Sequence, residues 1–313
     1  MATYVGIDIG KLELQVYENN KSYTIENTKN QIEKWLSKLT DLSDIIMIFE
    51  PTGGYEKQLL LTLSAREIDY AVVHANYVRA YAKSLGILAK TDKIDARIIA
   101  AYATAMKIMP CKDSSSKEHA MLRSLTKRRD QLLLERSAEK MRLDKVLDKA
   151  ILQSIENHIK WLDNEIARLE DMIDQTISNN QKLAEDAALM GSIPSIGKHT
   201  VHTLLAYLPE LKQCNKKQLA ALVGVAPYNR DSGKSSGKRF IFGGRKLVRK
   251  ALYLAAVASL KHFPDMRDYY MKMKAKGKPS KVALIAIVNK LIGMLSCVMK
   301  RGTPWIKNLE KTA

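Results

Sequence analysis

Cysteine is nearly absent from this chain. Its 313 residues hold three, Cys111, Cys214 and Cys297, and none forms a CxxC pair. A scattered, odd set supplies neither a disulfide framework nor a zinc ligand set, and it points to a reducing compartment. No uninterrupted run of about eighteen apolar residues occurs, so the sequence predicts no membrane span. The N-terminus enters a strand pattern at once, without the apolar core of a signal peptide. The expectation is a cytoplasmic, bacterial-type protein. Acidic residues are also scarce, but only in one region. From Gly191 onward there are 24 Lys/Arg against 5 Asp/Glu, which leaves 27 against 28 before it. The whole net charge of +18 therefore lies in the last two fifths of the chain. Clustered cations gain affinity for nucleic acid by releasing phosphate counterions. An acidic membrane is the weaker alternative, because no basic amphipathic helix with bulky aromatics is present.

What is present divides the chain into three. Alternating or continuous apolar runs predict strands at Tyr4–Ile9, Leu12–Tyr17, Ser22–Ile25, Ile45–Phe49 and Tyr70–His74. Helical spacing predicts helices over 27–39, 55–66, 76–88 and 92–106. That order implies a mixed sheet with helices on its faces. A linker-like stretch follows around Pro110–Ser116. From Glu118 to Asn179 glycine and proline vanish, and Ile155, Ile159, Leu162, Ile166, Leu169 and Ile173 alternate steps of four and three. Such a seam suits an antiparallel helical pair, a dimerising coiled coil or an ordinary bundle. The expected divisions are 1–110, 111–185 and a mainly helical basic segment, 186–313.

Four carboxylates stand out. Asp8 sits inside Val5-Gly6-Ile7-Asp8-Ile9-Gly10, Glu50 ends the run Ile45–Phe49, and Asp92 and Asp95 open the helix over 92–106. A carboxylate in a buried strand needs a cation or hydrogen bonds to offset its desolvation. Converging oxygens of this kind are commonly compensated by divalent metal ions in phosphoryl transfer. Asp92 and Asp95, three apart, can share a helix face. The plainer reading makes Asp92 an N-cap and Asp95 a partner of the helix dipole.

Two elements of the basic segment look suited to phosphate. Ile193-Pro194-Ser195-Ile196-Gly197-Lys198 resembles a helix-hairpin-helix turn, whose backbone N–H groups near Gly197 and Lys198 could meet DNA. A simple turn before a helix accounts for the same residues. Arg230-Asp231-Ser232-Gly233-Lys234-Ser235-Ser236-Gly237-Lys238-Arg239, followed by Arg245 and Arg249, is rich in glycine and cations. It lacks the spacing of a Walker loop. Its chemistry alone favours plain phosphate binding over a nucleophilic serine.

In combination, Val5–Lys11, Phe49-Glu50-Pro51-Thr52-Gly53, Lys90–Arg97, Ile193–Gly197, Gly224–Gly233 and Gly243-Gly244-Arg245 are similar to the DEDD transposases of bacterial insertion sequences, relatives of the Piv DNA invertase. The resemblance spans essentially the whole chain. It implies an N-terminal RNase H/RuvC-like domain, a coiled-coil insertion and a C-terminal transposase domain. It also implies Ser232 as nucleophile and direction by a structured guide RNA. The expected enzyme is a site-specific DNA recombinase with Mg²⁺ or Mn²⁺ on Asp8, Glu50, Asp92 and Asp95. Nucleic acid would contact Gly197, Lys198, Arg230, Lys234, Lys238, Arg239, Arg245 and Arg249. The expected partners are element-end and target DNA, the guide RNA and further copies of the chain as a dimer or tetramer, at the nucleoid. The alternatives are a junction resolvase using metal-activated water and a non-enzymatic nucleic-acid binder.

Overall fold

A computed structural model of the chain describes residues 3–39, 42–89, 91–110, 117–229, 237 and 239–306. They belong to two units, Met1–Ser114 and Ser115–Ala313. The first contains β1 (Thr3–Ile9), β2 (Glu13–Glu18), β3 (Lys21–Glu26), α1 (Lys29–Leu36), β4 (Ile45–Phe49), α2 (Lys57–Ala65), β5 (Tyr70–Val72), α3 (Ala75–Ser84) and α4 (Asp92–Met106). The sheet order is β3-β2-β1-β4-β5. β1 pairs antiparallel with β2 and parallel with β4, and β4 pairs parallel with β5.

Strand alternation decides which helix covers which face. Val5, Ile7 and Ile9 of β1 and Met47 and Phe49 of β4 pack with Ile32, Leu36, Leu59 and Leu63 of α1 and α2. The intervening residues Ile46 and Ile48 pack with Val78, Ala82, Ile98 and Ile99 of α3 and α4. Burial on both faces is why β4 is apolar throughout. The predicted elements appear, with two corrections. The helix expected to reach Leu88 stops at Ser84, because Gly86 takes φ 74° and the Ile87 amide turns back to the Ala82 carbonyl. The strand expected to reach His74 ends at Val72, since His74 becomes the N-cap of α3.

The second unit opens with two long helices, α5 (Lys117–Leu143) and α6 (Lys149–Ser178). Asp148 caps α6 by accepting from the amides of Ala150 and Ile151, at 2.8 and 3.2 Å. The Arg136–Asp163 and His158–Glu139 pairs, at 2.6 and 3.2 Å, set the two helices antiparallel. The predicted seam of Leu162, Ile166, Leu169 and Ile173 shares a core with Leu122, Leu125 and Leu132 of α5. These four residues are buried within the chain, whereas Ile155 and Ile159, nearer the start of α6, are half-buried. There follow α7 (Gln181–Gly191), α8 (Lys198–Tyr207), α9 (Lys216–Val223), a short ribbon of β6 (Pro227–Tyr228) and β7 (Phe240–Ile241), α10 (Lys246–His262), α11 (Pro264–Ala275) and α12 (Ser280–Arg301). One core runs from Leu122 through Met299, so the helical pair and the basic segment share it.

By length and composition α12 is apolar enough to span a membrane, although Asn289 and Lys290 interrupt its apolar run. Its Ala283, Ile287, Val288, Leu291, Leu295 and Val298 are buried in the core of this unit, as in a central helix of a globular bundle.

Candidate carboxylate centre and basic loop

Asp8 lies on the same face of β1 as Gly6, the face covered by α4. A Cβ on Gly6 would sit 2.1 Å from the Ala96 carbonyl oxygen and 2.8 Å from the Ala100 amide, so α4 rests directly on β1. The Tyr4 hydroxyl donates to the Ile108 carbonyl at 3.1 Å, just beyond the far end of α4. β1 and α4 therefore run in opposite directions. The helix start, with Asp92 and Asp95, comes to the strand end that carries Asp8. In the parallel pair Ile7 lies beside Phe49, and Asp8 and Glu50 are the next residues along, Glu50 just past the end of β4.

Local chemistry fixes the surroundings. Glu50 precedes a turn stapled by Glu56, whose Oε2 accepts from the amides of Thr52 and Gly54 at 3.1 and 2.9 Å. The N-cap of α4 is Thr91, whose hydroxyl accepts from the Ile94 amide at 3.3 Å. Asp92 is therefore not the cap. It stands exposed in the first turn, while Asp95 is half-buried. Glu50 and Asp95 line one cavity of about 150 Å³ with Asn76, Arg79 and Ile98. Arg79 and Asn76 of α3 were not anticipated from the sequence.

The donor set is hard carboxylate oxygen, which fits a hard divalent cation. Among the described residues no three His, Cys, Asp or Glu side chains close to ligating distance. An ion held here would complete its shell with water and phosphate oxygens, as Mg²⁺ ordinarily does.

In the second unit several expected contacts are engaged internally. Lys198 Nζ meets Asp174 Oδ2 at 2.5 Å, and this hydrogen bond raises its pKa above the ordinary lysine range. Gly197 caps α8 with ordinary backbone angles, and a Cβ there would meet nothing. The left-handed residue of that turn is Ser195, at φ 74°. Arg245 grips Glu210 with both terminal nitrogens, at 2.6 and 2.5 Å, and donates to the Tyr207 carbonyl at 2.8 Å. Burial pushes the Glu210 carboxyl up. The Arg245 hydrogen bonds and charge, with the residue's own amide, outweigh that and hold it below the usual range. Arg249 donates to the carbonyls of Gly224 and Gly243, at 3.1 and 2.6 Å. Gly224 and Gly244 approach so closely that a Cβ on Gly244 would lie 2.2 Å from the Gly224 amide nitrogen. Arg245 and Arg249 thus close the base of the segment from Gly224 to Gly244. Arg239 is exposed within it. Ser232, Arg230, Lys234 and Lys238 lie outside the described residues, as do Lys90 and Cys111.

Comparison with known proteins matches two family models. Residues 5–152 match a model described as Transposase (DEDD_Tnp_IS110), and residues 187–271 match Transposase IS116/IS110/IS902 family. The chain is 30% identical to the pilin gene-inverting protein of Moraxella bovis over 99% of both chains. Its identity to the protein of that name from Moraxella lacunata is also 30%, over 99% of both. An uncharacterized 43.6 kDa protein of insertion element IS110 from Streptomyces coelicolor is 29% identical over 37% of this chain and 29% of its own length.

Proposed function

The chain belongs to the IS110 family of transposases and is a DNA recombinase that draws on a divalent metal, and on that premise we propose that it excises and inserts a mobile element through a carboxylate centre and a serine nucleophile. What supports this reading is that Glu50 and Asp95 line one cavity, and that α4, whose first turn carries Asp92 and Asp95, lies antiparallel on the face of β1 that carries Asp8. We read the first unit as RNase H/RuvC-like. Asp8, Glu50, Asp92 and Asp95 would hold Mg²⁺ or Mn²⁺, which when bound neutralises charge at the scissile phosphate and favours deprotonation of the attacking hydroxyl. Ser232 then forms an Oγ–P bond as the bond from phosphorus to a deoxyribose oxygen breaks. The serine proton passes to that leaving oxygen. The phosphoserine keeps the bond energy until a second deoxyribose hydroxyl reverses the exchange. The cations around Ser232, namely Arg230, Lys234, Lys238 and Arg239, are placed by sequence to stabilise the charge on phosphorus. The excess charge after Gly191 serves element DNA and, with it, a structured guide RNA.

The likeness to pilin gene-inverting proteins along nearly the full length favours a second reading, inversion of a DNA segment. Plasmid substrates with inverted or directly repeated ends separate the two. The deciding experiment is capture of a denaturation-resistant protein–DNA adduct with metal present. An adduct supports serine chemistry. Cleavage without one supports metal-activated water, and binding without cleavage supports a non-enzymatic role.

A further inference from the structure

Arg79 lines a cavity that two carboxylates, Glu50 and Asp95, also line. Its Nη1 lies 3.7 Å from Asp95 Oδ1, and its side chain is 37% exposed. That separation exceeds hydrogen-bonding distance, so the pair is electrostatic and loosely held. Asn76, one turn earlier on α3, lines the same cavity and adds an amide. Its backbone is fixed by His74, whose Nδ1 accepts from the Asn76 amide at 3.2 Å. Beside Glu50 and Asp95 the cavity is therefore lined by residues that carry a guanidinium and a carboxamide, both donors suited to phosphate oxygen.

We propose that Arg79 and Asn76 form a phosphate subsite for the DNA strand being cut, and that Arg79 serves two states. Without DNA its charge offsets Asp95. When metal occupies the carboxylates, the guanidinium leaves Asp95 and takes a non-bridging oxygen of the DNA phosphate. This rests on reading the carboxylates as a metal site. The physical reason is the cost of leaving charge uncompensated in a small, partly buried space. A cation that leaves a carboxylate pair must be replaced by another, and the freed guanidinium then needs an anion. Placement on α3 suits the task, because Arg79 and Asn76 hang from one short helix whose first turn is pinned by its own cap.

The test uses the full-length protein and Mn²⁺ as the probe. Mn²⁺ binding is measured without DNA by calorimetry, and cleavage of an element-end duplex is measured separately. Arg79→Gln removes a positive charge beside the site, so Mn²⁺ affinity should rise about fivefold or more. Cleavage should fall by about a hundredfold, the scale of losing one preorganised charge contact. Arg79→Lys should keep wild-type Mn²⁺ affinity and recover part of the cleavage. Asn76→Ala should raise KM for the duplex and leave Mn²⁺ affinity unchanged. Unchanged or weaker Mn²⁺ binding in Arg79→Gln, or cleavage within about twofold of wild type, overturns the proposal. So does an Asn76→Ala that shifts Mn²⁺ affinity and leaves KM untouched. If Arg79→Gln does not fold, the Lys and Ala variants still decide. Should the wild type bind no Mn²⁺ while Asp8→Asn and Asp95→Asn still cleave, the metal reading itself falls. Should those two variants be dead while Arg79→Gln matches wild type, only the role of Arg79 falls.

Discussion

Gly6 and Ala96 meet backbone to backbone: a Cβ on Gly6 would lie 2.1 Å from the Ala96 carbonyl oxygen. That contact lets α4 lie flat on β1 and brings Asp95, the next residue back along the helix, toward the strand end occupied by Asp8. The obstacle is main chain, so no side-chain rotation can relieve it.

Gly6→Ala should therefore lift α4 from the sheet. We expect a loss of about 2–3 kcal/mol in stability, the upper range for overpacking. The loss in strand cleavage should exceed what the destabilisation explains, because the carboxylates are spread apart. Thermal unfolding and cleavage assays on the same preparation check both halves. A variant with wild-type melting and activity would show that α4 does not rest on β1.

Asp8→Asn should leave the fold intact, since the side chain keeps its shape and the neighbouring acids lose a repulsive partner. Metal-dependent cleavage and joining should fall by at least about a hundredfold, because a neutral amide is a poor ligand for a hard cation. Near-normal recombination would place the metal elsewhere.

His202 gives the second unit a pH dependence. Burial pushes its pKa down to about 4, against an opposing pull from Asp174 and with help from Arg129, Lys198 and His199. Its Nε2 is 3.1 Å from Asp174 Oδ1 and its Nδ1 is 3.5 Å from Arg129, a geometry that suits a neutral ring donating to the carboxylate. The unfolded chain takes up a proton near pH 6.5 that the folded one refuses until about 4. Stability is then full above pH 6.5 and declines as pH falls toward 4. Between pH 6.5 and 5 the loss should be about 2 kcal/mol from this residue. Urea unfolding at the two pH values, with His202→Gln as the control of shallower slope, measures it.

How far the sequence led depended on whether a signal was local. α4 was predicted at its observed bounds, Asp92–Met106, because helical spacing of apolar residues is a local signal, although its cap is Thr91 and not Asp92. Residue type alone suggested that Asp8, Glu50, Asp92 and Asp95 work together; of these, Glu50 and Asp95 line one cavity. The roles of Arg245 and Arg249 were not legible. Their charge suggested phosphate, whereas Glu210 and two glycine carbonyls, 6 to 35 positions away, occupy them. Nor could periodicity say that the seam of α6 folds back on α5 of the same chain, because a partner helix and a second copy present the same apolar stripe.

That intramolecular pairing bears on where copies of the chain could meet. Leu162 and Ile166 are buried against α5, so replacing them would unfold the helical pair without reporting on oligomers. Near the turn of the pair, Met141, Leu147 and Ile151 are exposed, Leu147 at 96%. If copies associate through this end, Leu147→Asp with Ile151→Asp should lower the mass found by light scattering while leaving helical content unchanged. An unchanged mass assigns the contact to another surface.

Ser232 carries the largest chemical claim. A serine hydroxyl is a weak nucleophile at neutral pH and needs activation. Its own segment offers cations, which stabilise charge on phosphorus but do not remove the proton. On the proposed mechanism that activation comes from bound divalent metal. Ser232→Ala should leave DNA and RNA binding within about twofold of wild type, since phosphate contacts come from the surrounding cations and backbone. It should abolish both recombination and the protein–DNA adduct. Ser235→Ala and Ser236→Ala should cost far less, which separates a nucleophile from a general need for hydroxyls in the loop. Mixing Ser232→Ala with Asp8→Asn tests the source of the metal. Recovery of activity in the mixture means that the serine and the carboxylates act from different copies. If Ser232→Ala alone still cleaves while Asp8→Asn does not, water is the nucleophile and the serine mechanism is wrong.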